Sequence, residues 1–442
     1  MDINKIKECV EQIQFRQSQY QHLKNYFLGQ HDILAREQVG EKPNNKLVHN
    51  FPGYIVRVNT GYFIGKPVAY SYPADEDAMT QAFIEQYERI LDYNDEQDHN
   101  SDVAEMMGIY GKGFEFLFSD EHHITGEPIV RMTTASPLEA MAVYGGSMIP
   151  TMAGFIRRYM GEKIKDLQGK SNQEYFVDVF DDEVIRRYRQ VGLSSELTLI
   201  DEWPHFFKDV PAVEYWNNSY GQGDFETVIS LIDAYNKMGS DSVNDAEEFV
   251  DSYLALTGFT GTQEEDVSQM KKNRVLLLEQ GDGAKWVTRD INDTAEENRK
   301  TRLADDIHLF SSTPNLTDDK FGSNLSGVAI AYKLWGLEQT ASIKERKFKK
   351  GLQRRIELIA NFLSNTGIDF DYAKVDMTFT RNMPQNAKEM AEMVMQLRGL
   401  ISDMTLRQEL PFIDDSRIEQ ERLDQERDRI SFPELDEVEG EA

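Results

Sequence analysis

The 442-residue sequence has one cysteine, Cys9. That excludes a disulfide framework and any cysteine-based zinc cluster, and it fits a reducing compartment. Positive charge is scarce: 48 lysines and arginines stand against 77 acids, a formal charge of −29. A protein that grips nucleic acid by neutralising phosphates needs a basic face, so this mode of binding is disfavoured; handling DNA without gripping it is not. Long apolar runs are missing. Nothing approaches 18 consecutive apolar residues, so no membrane span is expected. The opening MDINKIKECVEQIQF is broken by charge too often for a signal-peptide core. Proline is absent between Pro211 and Pro314 and again from Ser326 to Leu363, which leaves both stretches free to form long helices. With 40% hydrophobic and 11% aromatic residues, the chain has material for a sizeable core and is not generally disordered. The expectation is a soluble, acidic, intracellularly made protein of roughly two to four domains.

Catalytic signatures are also lacking. There is no G-x-x-x-x-G-K-[ST]; the nearest stretch, Gly108-Ile109-Tyr110-Gly111-Lys112-Gly113, has neither the spacing nor the hydroxyl that would hold magnesium, and reads as a turn cluster. Neither H-E-x-x-H nor G-x-S-x-G occurs. His122 and His123 are adjacent, so their rings diverge in any regular structure and a surface loop is expected. Asp181-Asp182 and Asp414-Asp415 lack the glycine-bearing pattern of a calcium loop. No enzyme, cofactor or metal is expected.

What is present is periodicity. Val10, Ile13, Tyr20, Leu23, Tyr26 and Phe27 recur at helical spacing until Gly29, and a second apolar helix runs into Gly61 before a strand at Val68–Tyr72. From 100 to 215 short β-like runs alternate with turns: Phe114–Phe118, Ile129–Met132, Met141–Tyr144, Phe155–Tyr159, Tyr175–Phe180 and Val184–Tyr188. That spacing predicts an antiparallel β-rich domain. Helix returns at Asp224 and runs to Val250. A glycine-bounded insert follows, with strands at Val275–Leu278 and Lys285–Thr288, and helix resumes near Thr294, which forms a capping box with Glu297. The chain thus goes out along one helix, turns through a compact module and returns along another.

Ser326–Leu363 reads as one uninterrupted helix of roughly 57 Å. Within it lie Lys344, Arg346, Lys347, Lys349, Lys350, Arg354 and Arg355. They wrap the helix rather than forming one stripe, and are expected to answer acidic surfaces on neighbouring elements or copies, with a solvated face and direct DNA contact as alternatives. A strand is expected at Val375–Thr380, a helix at Ala387–Arg407, and a solvated acidic tail from Ile413, where twelve acids face four arginines.

Several segments resemble the portal proteins of tailed bacteriophages, in the branch of siphophages of Gram-positive hosts. They are NKLVHNFPGYIVRVNTGYFIGKPVAYSYP at 45–73, GIYGKGFEFLF at 108–118, VPAVEYWNN at 210–218, DFETVISLIDAYNKMGSDSVNDAEEF at 224–249, FGSNLSGVAIAYKLWGLEQTA at 321–341 and LRGLISDMTLRQELPFIDD at 397–415. None is diagnostic alone; together, in this order, they are specific. The resemblance implies an α+β fold, the phage portal fold, with a β-rich wing, long stem helices, a small α/β clip and a helical crown. It implies wing for 1–223, stem helices for 224–250 and 293–313, clip for 251–292, and a tunnel loop for 314–325. A long wing helix (326–365), a wing strand (366–386), a crown (387–430) and an acidic disordered tail (431–442) follow.

By the same resemblance the subunit joins a ring, a dodecamer, at one capsid vertex of the virion, assembled in the host cytoplasm. DNA enters and leaves through it. Terminase large subunit and then a head-completion adaptor dock on it, and major capsid and scaffolding proteins surround it. Asn315, Leu316, Thr317, Asp318, Asp319, Lys320, Phe321, Gly322, Ser323 and Asn324 would face the duplex, with Asp305 and Asp306 lining the tunnel. Glu264, Glu265, Asp266, Lys271, Lys272 and Trp286 would form the clip's docking surface. Physically, a wall past which DNA slides needs weak contact, because each fixed lysine–phosphate pair adds affinity and so friction. The alternative function is a metal-dependent phage DNA-processing enzyme, a nuclease, which would need carboxylates clustered at a sheet edge.

Overall fold

The computed structural model describes residues 1–40, 42–72, 77–165, 171–192 and 196–249, the three strands within 253–287, and 293–317, 327–383 and 387–408. It also describes 413, 419–420 and 422–424. Helix and strand are mixed throughout, as expected. Two compact units divide the chain: Met1–Thr317 with Leu334–Asn382, and Asp318–Lys333 with Met383–Ala442.

In the first unit, helix α1 (Ile3–Phe27) buries Ile6, Cys9, Val10 and Ile13 on one stripe. It ends where Gly29 takes φ +78°, a conformation that costs a glycine nothing. Helix α2 (Phe51–Ile64) starts at Asn50, whose side chain accepts a hydrogen bond from the Gly53 N–H at 3.0 Å. Helix α3 (Ala78–Tyr93) starts at Asp77, which caps the N–H groups of Met79 and Thr80. Helix α4 (Glu96–Tyr110) corrects the expectation that residue 100 onward is strand and turn. Only Gly111 of the expected turn cluster is a turn residue, capping α4 at φ +80°. Gly108 lies inside the helix, where a Cβ would come within 2.9 Å of the Asp224 carboxylate.

The β-rich part is antiparallel, as read. Strands β2 (Lys112–Glu121), β3 (Pro128–Ala135) and β9 (Ala212–Trp216) form one sheet in the order β3-β2-β9. Strands β4 (Ala140–Tyr144), β5 (Met152–Lys165), β6 (Ser171–Phe180), β7 (Val184–Val191) and β8 (Thr198–Pro204) form a five-stranded meander. Phe114, Phe155, Phe180 and Ile185 fill one core, and α1 lays Ile6, Cys9 and Val10 against Ile156, Val177 and Val179 of the meander. Strands β8 and β9 were not expected. Every residue of β8 but Trp203 is exposed, so it has no buried alternation to detect.

Helix α5 (Ile229–Phe249) leads to a small sheet of β10 (Tyr253–Thr257), β11 (Val275–Leu278) and β12 (Gly283–Val287) in the order β11-β10-β12. Strand β10 runs parallel to β11 and antiparallel to β12. Helix α6 (Asp293–Phe310) returns. It begins at Asp293, which places Thr294 inside the first turn and not at the capping position expected for it. Ile232 of α5 and Ile307 of α6 share a core with Tyr26 and Ile55.

The expected single helix from Ser326 to Leu363 is two. Helix α7 (Gly327–Lys333) ends, Leu334 adopts φ −87° and ψ 0°, and helix α8 (Trp335–Ser364) begins. The 30 residues of α8 span about 45 Å. Strand β13 (Asp376–Thr378) pairs with β1 (Ala69–Ser71), joining distant parts of the first unit. In the second unit, the helix expected over 387–407 is also split, into α9 (Ala387–Leu397) and α10 (Asp403–Gln408), with Gly399 at φ +87° between them. The 431–442 tail lies outside the described residues.

Candidate functional site

Helix α8 carries the seven cations singled out in the sequence, and they have three fates. Lys344 and Arg355 are buried. The Lys344 ammonium sits 2.5 Å from the Asp224 carboxylate, which also accepts a hydrogen bond from the Asn217 amide at 2.9 Å. Arg355 is 0% exposed and makes a fork: its Nε and Nη2 donate to Glu115, and its Nη1 donates to Glu96 and to Asn100, both at 2.8 Å. His99 closes on the same Glu115 at 2.6 Å, and the Tyr70 hydroxyl donates to Glu96. Burial alone would raise the Glu115 carboxyl; the Arg355 guanidinium and the His99 ring outweigh it and pull the carboxyl down to about 2.

Lys349 and Arg354 pair nearer the surface, Lys349 with Asp376 at 2.7 Å and Arg354 with Asp209 and Glu357 at 2.9 and 2.8 Å. Arg346, Lys347 and Lys350 form no ion pair among the described residues. Four of the seven therefore answer acids on neighbouring elements of the same chain. Arg355 joins α8 to α4 and β2, and Lys344 joins it to the segment entering α5. These buried pairs fix the position of the helix, because moving it would leave charges unpaired without water.

The expected tunnel loop is described only at its root. Asn315 accepts hydrogen bonds from the Thr317 N–H at 3.1 Å and its hydroxyl at 2.7 Å, and all three residues from Asn315 to Thr317 are exposed. Asp318, Asp319, Lys320, Phe321, Gly322, Ser323 and Asn324 lie outside the described residues. The root is pinned by two groups of α2 that sequence reasoning missed. The Tyr54 hydroxyl donates to the Pro314 carbonyl at 2.8 Å and accepts from the Leu316 N–H at 2.9 Å. Asn59, buried on the apolar stripe of α2, donates to the Thr313 hydroxyl at 2.8 Å. A polar amide on an apolar stripe was the available signal, since burial requires it to find a partner.

Asp305 is exposed on the last turns of α6, and Asp306 is half-buried and paired with Arg302 at 3.1 Å. Of the six expected docking residues, Glu264, Glu265, Asp266, Lys271 and Lys272 lie outside the described residues; Trp286 lies on β12, opposite Leu254 of β10. His122 and His123 form the turn after β2, stacked beside Tyr93. Among the described residues no three His, Cys, Asp or Glu side chains are grouped to hold a metal ion, and no helix is long and apolar enough to cross a membrane.

A β-rich body is joined to a long helix by buried ion pairs, and two more helices run to and from a small sheet. The chain belongs to the phage portal protein family, SPP1 Gp6-like, whose family model matches residues 6–431. It is 24% identical over 439 residues to the portal protein of Clostridium phage phiCD119, covering 94% of each chain. It is 23% identical over 418 residues to the portal protein of Bacillus phage SPP1, covering 90% of this chain and 79% of that one. A solved structure described as the neck of an empty GTA particle matches with a TM-score of 0.41 and 12% identity, over 82% of this chain and 90% of its own. The resemblance read from the sequence segments is the family relationship.

Proposed function

We propose that the chain is the portal subunit of a tailed phage: a ring of copies, probable number twelve by family analogy, at one capsid vertex, serving as the conduit for DNA packaging and ejection. The observation that carries this reading is the portal-family match over residues 6–431, nearly the whole chain. In this reading 1–223 and 366–386 are wing, α5 and α6 are the stem, and the small sheet of β10, β11 and β12 is the core of the clip. The segment 314–325 is the tunnel loop, α8 the long wing helix, and 387–430 the crown. Terminase and then the head-completion adaptor dock at the clip. The subunit itself does no chemistry, and the energy for packaging comes from a separate ATPase.

In this reading the loop has a mechanical role. Its root is held by Tyr54 and Asn59 of α2, which would let the loop meet the duplex without disturbing the core. Asp305 on α6 would repel phosphate and keep a hydrated gap, so that DNA slides and does not stick.

Negative-stain imaging of the purified chain tests the whole reading. Rings with a hole as wide as a duplex are expected, and deleting Leu316 to Ser323 should leave those rings intact while impairing packaging or retention of DNA. Monomers with no perforation would overturn the ring reading, and a pure chain that cuts DNA would support the nuclease.

A further inference from the structure

The three cations of α8 that form no ion pair among the described residues share one face with two exposed apolar residues. Trp335, Ile343, Arg346 and Lys350 step by eight, three and four, and Lys347 lies next to Arg346, which places them along one side of the helix. Trp335 is 61% exposed and Ile343 47%; Arg346 and Lys350 are exposed and Lys347 is half-buried. The apolar end continues beyond α8. Gly336 packs against Ser312, and the residues just before that turn, Leu309 and Phe310 at the end of α6, are 66% and 61% exposed. An exposed tryptophan and arginine beside further apolar surface is the composition of a protein interface core.

Elsewhere in the same unit lies a surface of the opposite sign. Glu85, Glu88 and Asp92 of α3 are spaced i, i+3, i+7, and Asp95, Asp98 and Asp102 repeat that spacing at the start of α4 and along it. All six are exposed, and none forms an ion pair among the described residues. Both surfaces sit on every copy, and among the described residues neither is paired internally. A closed ring is built from such pairs, because in a head-to-tail contact one patch of each subunit meets a different patch of the next.

The geometry points to the solvent face of α8 as one side of the contact between adjacent copies, with Arg346, Lys347 and Lys350 meeting the acidic α3–α4 rows of the next chain. This rests on the ring reading above and specifies which surfaces close it. A second copy is the partner that fits. It supplies the complementary charge, whereas a phosphate surface calls for a broad basic field and no exposed tryptophan.

Charge exchange tests it with the full chain. R346E/K350E makes both surfaces acidic, and E85K/E88K/D98K/D102K puts four lysines against the two acids that remain in the rows, leaving both surfaces basic. Each variant alone should fold, by circular dichroism, and lose its rings by negative stain. The neutral R346Q/K350Q should give an intermediate yield. An equimolar mixture of R346E/K350E and E85K/E88K/D98K/D102K should recover rings of alternating chains by native mass spectrometry, since every contact is then again acid against base. Undiminished rings from R346E/K350E alone, or a mixture that stays unassembled, would overturn the proposal. So would normal R346E/K350E rings that bind less DNA, which would make phosphate the partner. A wild-type chain that never forms rings is a different result: it defeats the ring reading itself, and the contact with it.

Discussion

Glu115 and Arg355 lie where neither side chain reaches solvent, so their interaction is decided by pairing and not by hydration. Removing one partner of a buried ion pair leaves a charge that water cannot rescue, and costs about 3–5 kcal/mol. Glu115→Gln should fall at the low end, about 3 kcal/mol at neutral pH, because Glu96 still faces Arg355 at 2.8 Å. The pH dependence follows from the sign of the shift. The Glu115 carboxyl is held at about 2 in the folded chain against an ordinary 4.5, so its stabilisation is complete above about 4.5 and is lost as pH falls toward about 2. Denaturant unfolding of wild type and Glu115→Gln across that window should show the gap between them closing as acid is added. A gap that does not change with pH would mean that Glu115 is not ionised in the folded state. The sequence held a clue to this network that charge counting passed over. Lys344, Phe348, Leu352, Arg355 and Ile359 follow one helical stripe, so two of the seven cations fall on the line of buried apolar residues. Which acids would meet them was not legible, because Asp224, Glu96 and Glu115 are more than a hundred residues away in the chain.

At the scale of elements, glycine separates two kinds of helix packing. Alanine is favoured over glycine by about 1 kcal/mol in a helix interior, so each helical glycine needs a reason. Gly351 has one: a Cβ there would come within 2.3 Å of the Tyr215 ring of β9, and that ring is itself fully buried. Gly61 of α2 has none, since nothing lies within 4 Å of its Cβ position. Gly351→Ala should therefore lower the melting temperature and Gly61→Ala should raise it, the latter by the equivalent of up to about 1 kcal/mol; equal shifts in calorimetry would mean that α8 is not pressed against β9. Glycine also explains where element reading from sequence failed. Gly108 and Gly111 are three residues apart, yet one is a close-packing site inside α4 and the other its cap, and spacing alone could not separate these uses. The break at Leu334 was invisible for a related reason. Leu334 and Leu337 are both buried, so the apolar period runs through the interruption as though the helix were continuous. Strands such as β5 and β6 were legible from their runs of Val, Ile, Tyr and Phe, which favour extended backbone, and capless periodic helices such as α1 because a buried face imposes its own period.

For the assembled molecule, two electrostatic effects of different range compete. Each copy carries −29, so a ring of twelve would carry 12 × −29 ≈ −348, and the copies repel one another over tens of ångströms. Against this, Arg346, Lys347 and Lys350 would attract the acidic rows of the neighbour only at contact distance. Salt acts on the two unequally. The screening length is about 30 Å at 0.01 M, about 10 Å at 0.1 M and about 3 Å at 1 M. Raising ionic strength from about 0.01 M to about 0.1 M should thus remove much of the long-range repulsion while sparing pairs a few ångströms apart. Raising it further, to about 1 M, should weaken the pairs as well. Ring yield, followed by sedimentation velocity, is accordingly expected to rise and then fall with salt, and a divalent cation should reach the maximum at lower concentration because it neutralises acid more effectively. In R346Q/K350Q the descending limb should flatten, since the contact attraction that high salt removes has already been reduced. A steady rise for wild type would mean that apolar burial around Trp335 and Phe310 holds the copies together with no help from charge. A steady fall would mean that local pairing outweighs the net charge at every ionic strength.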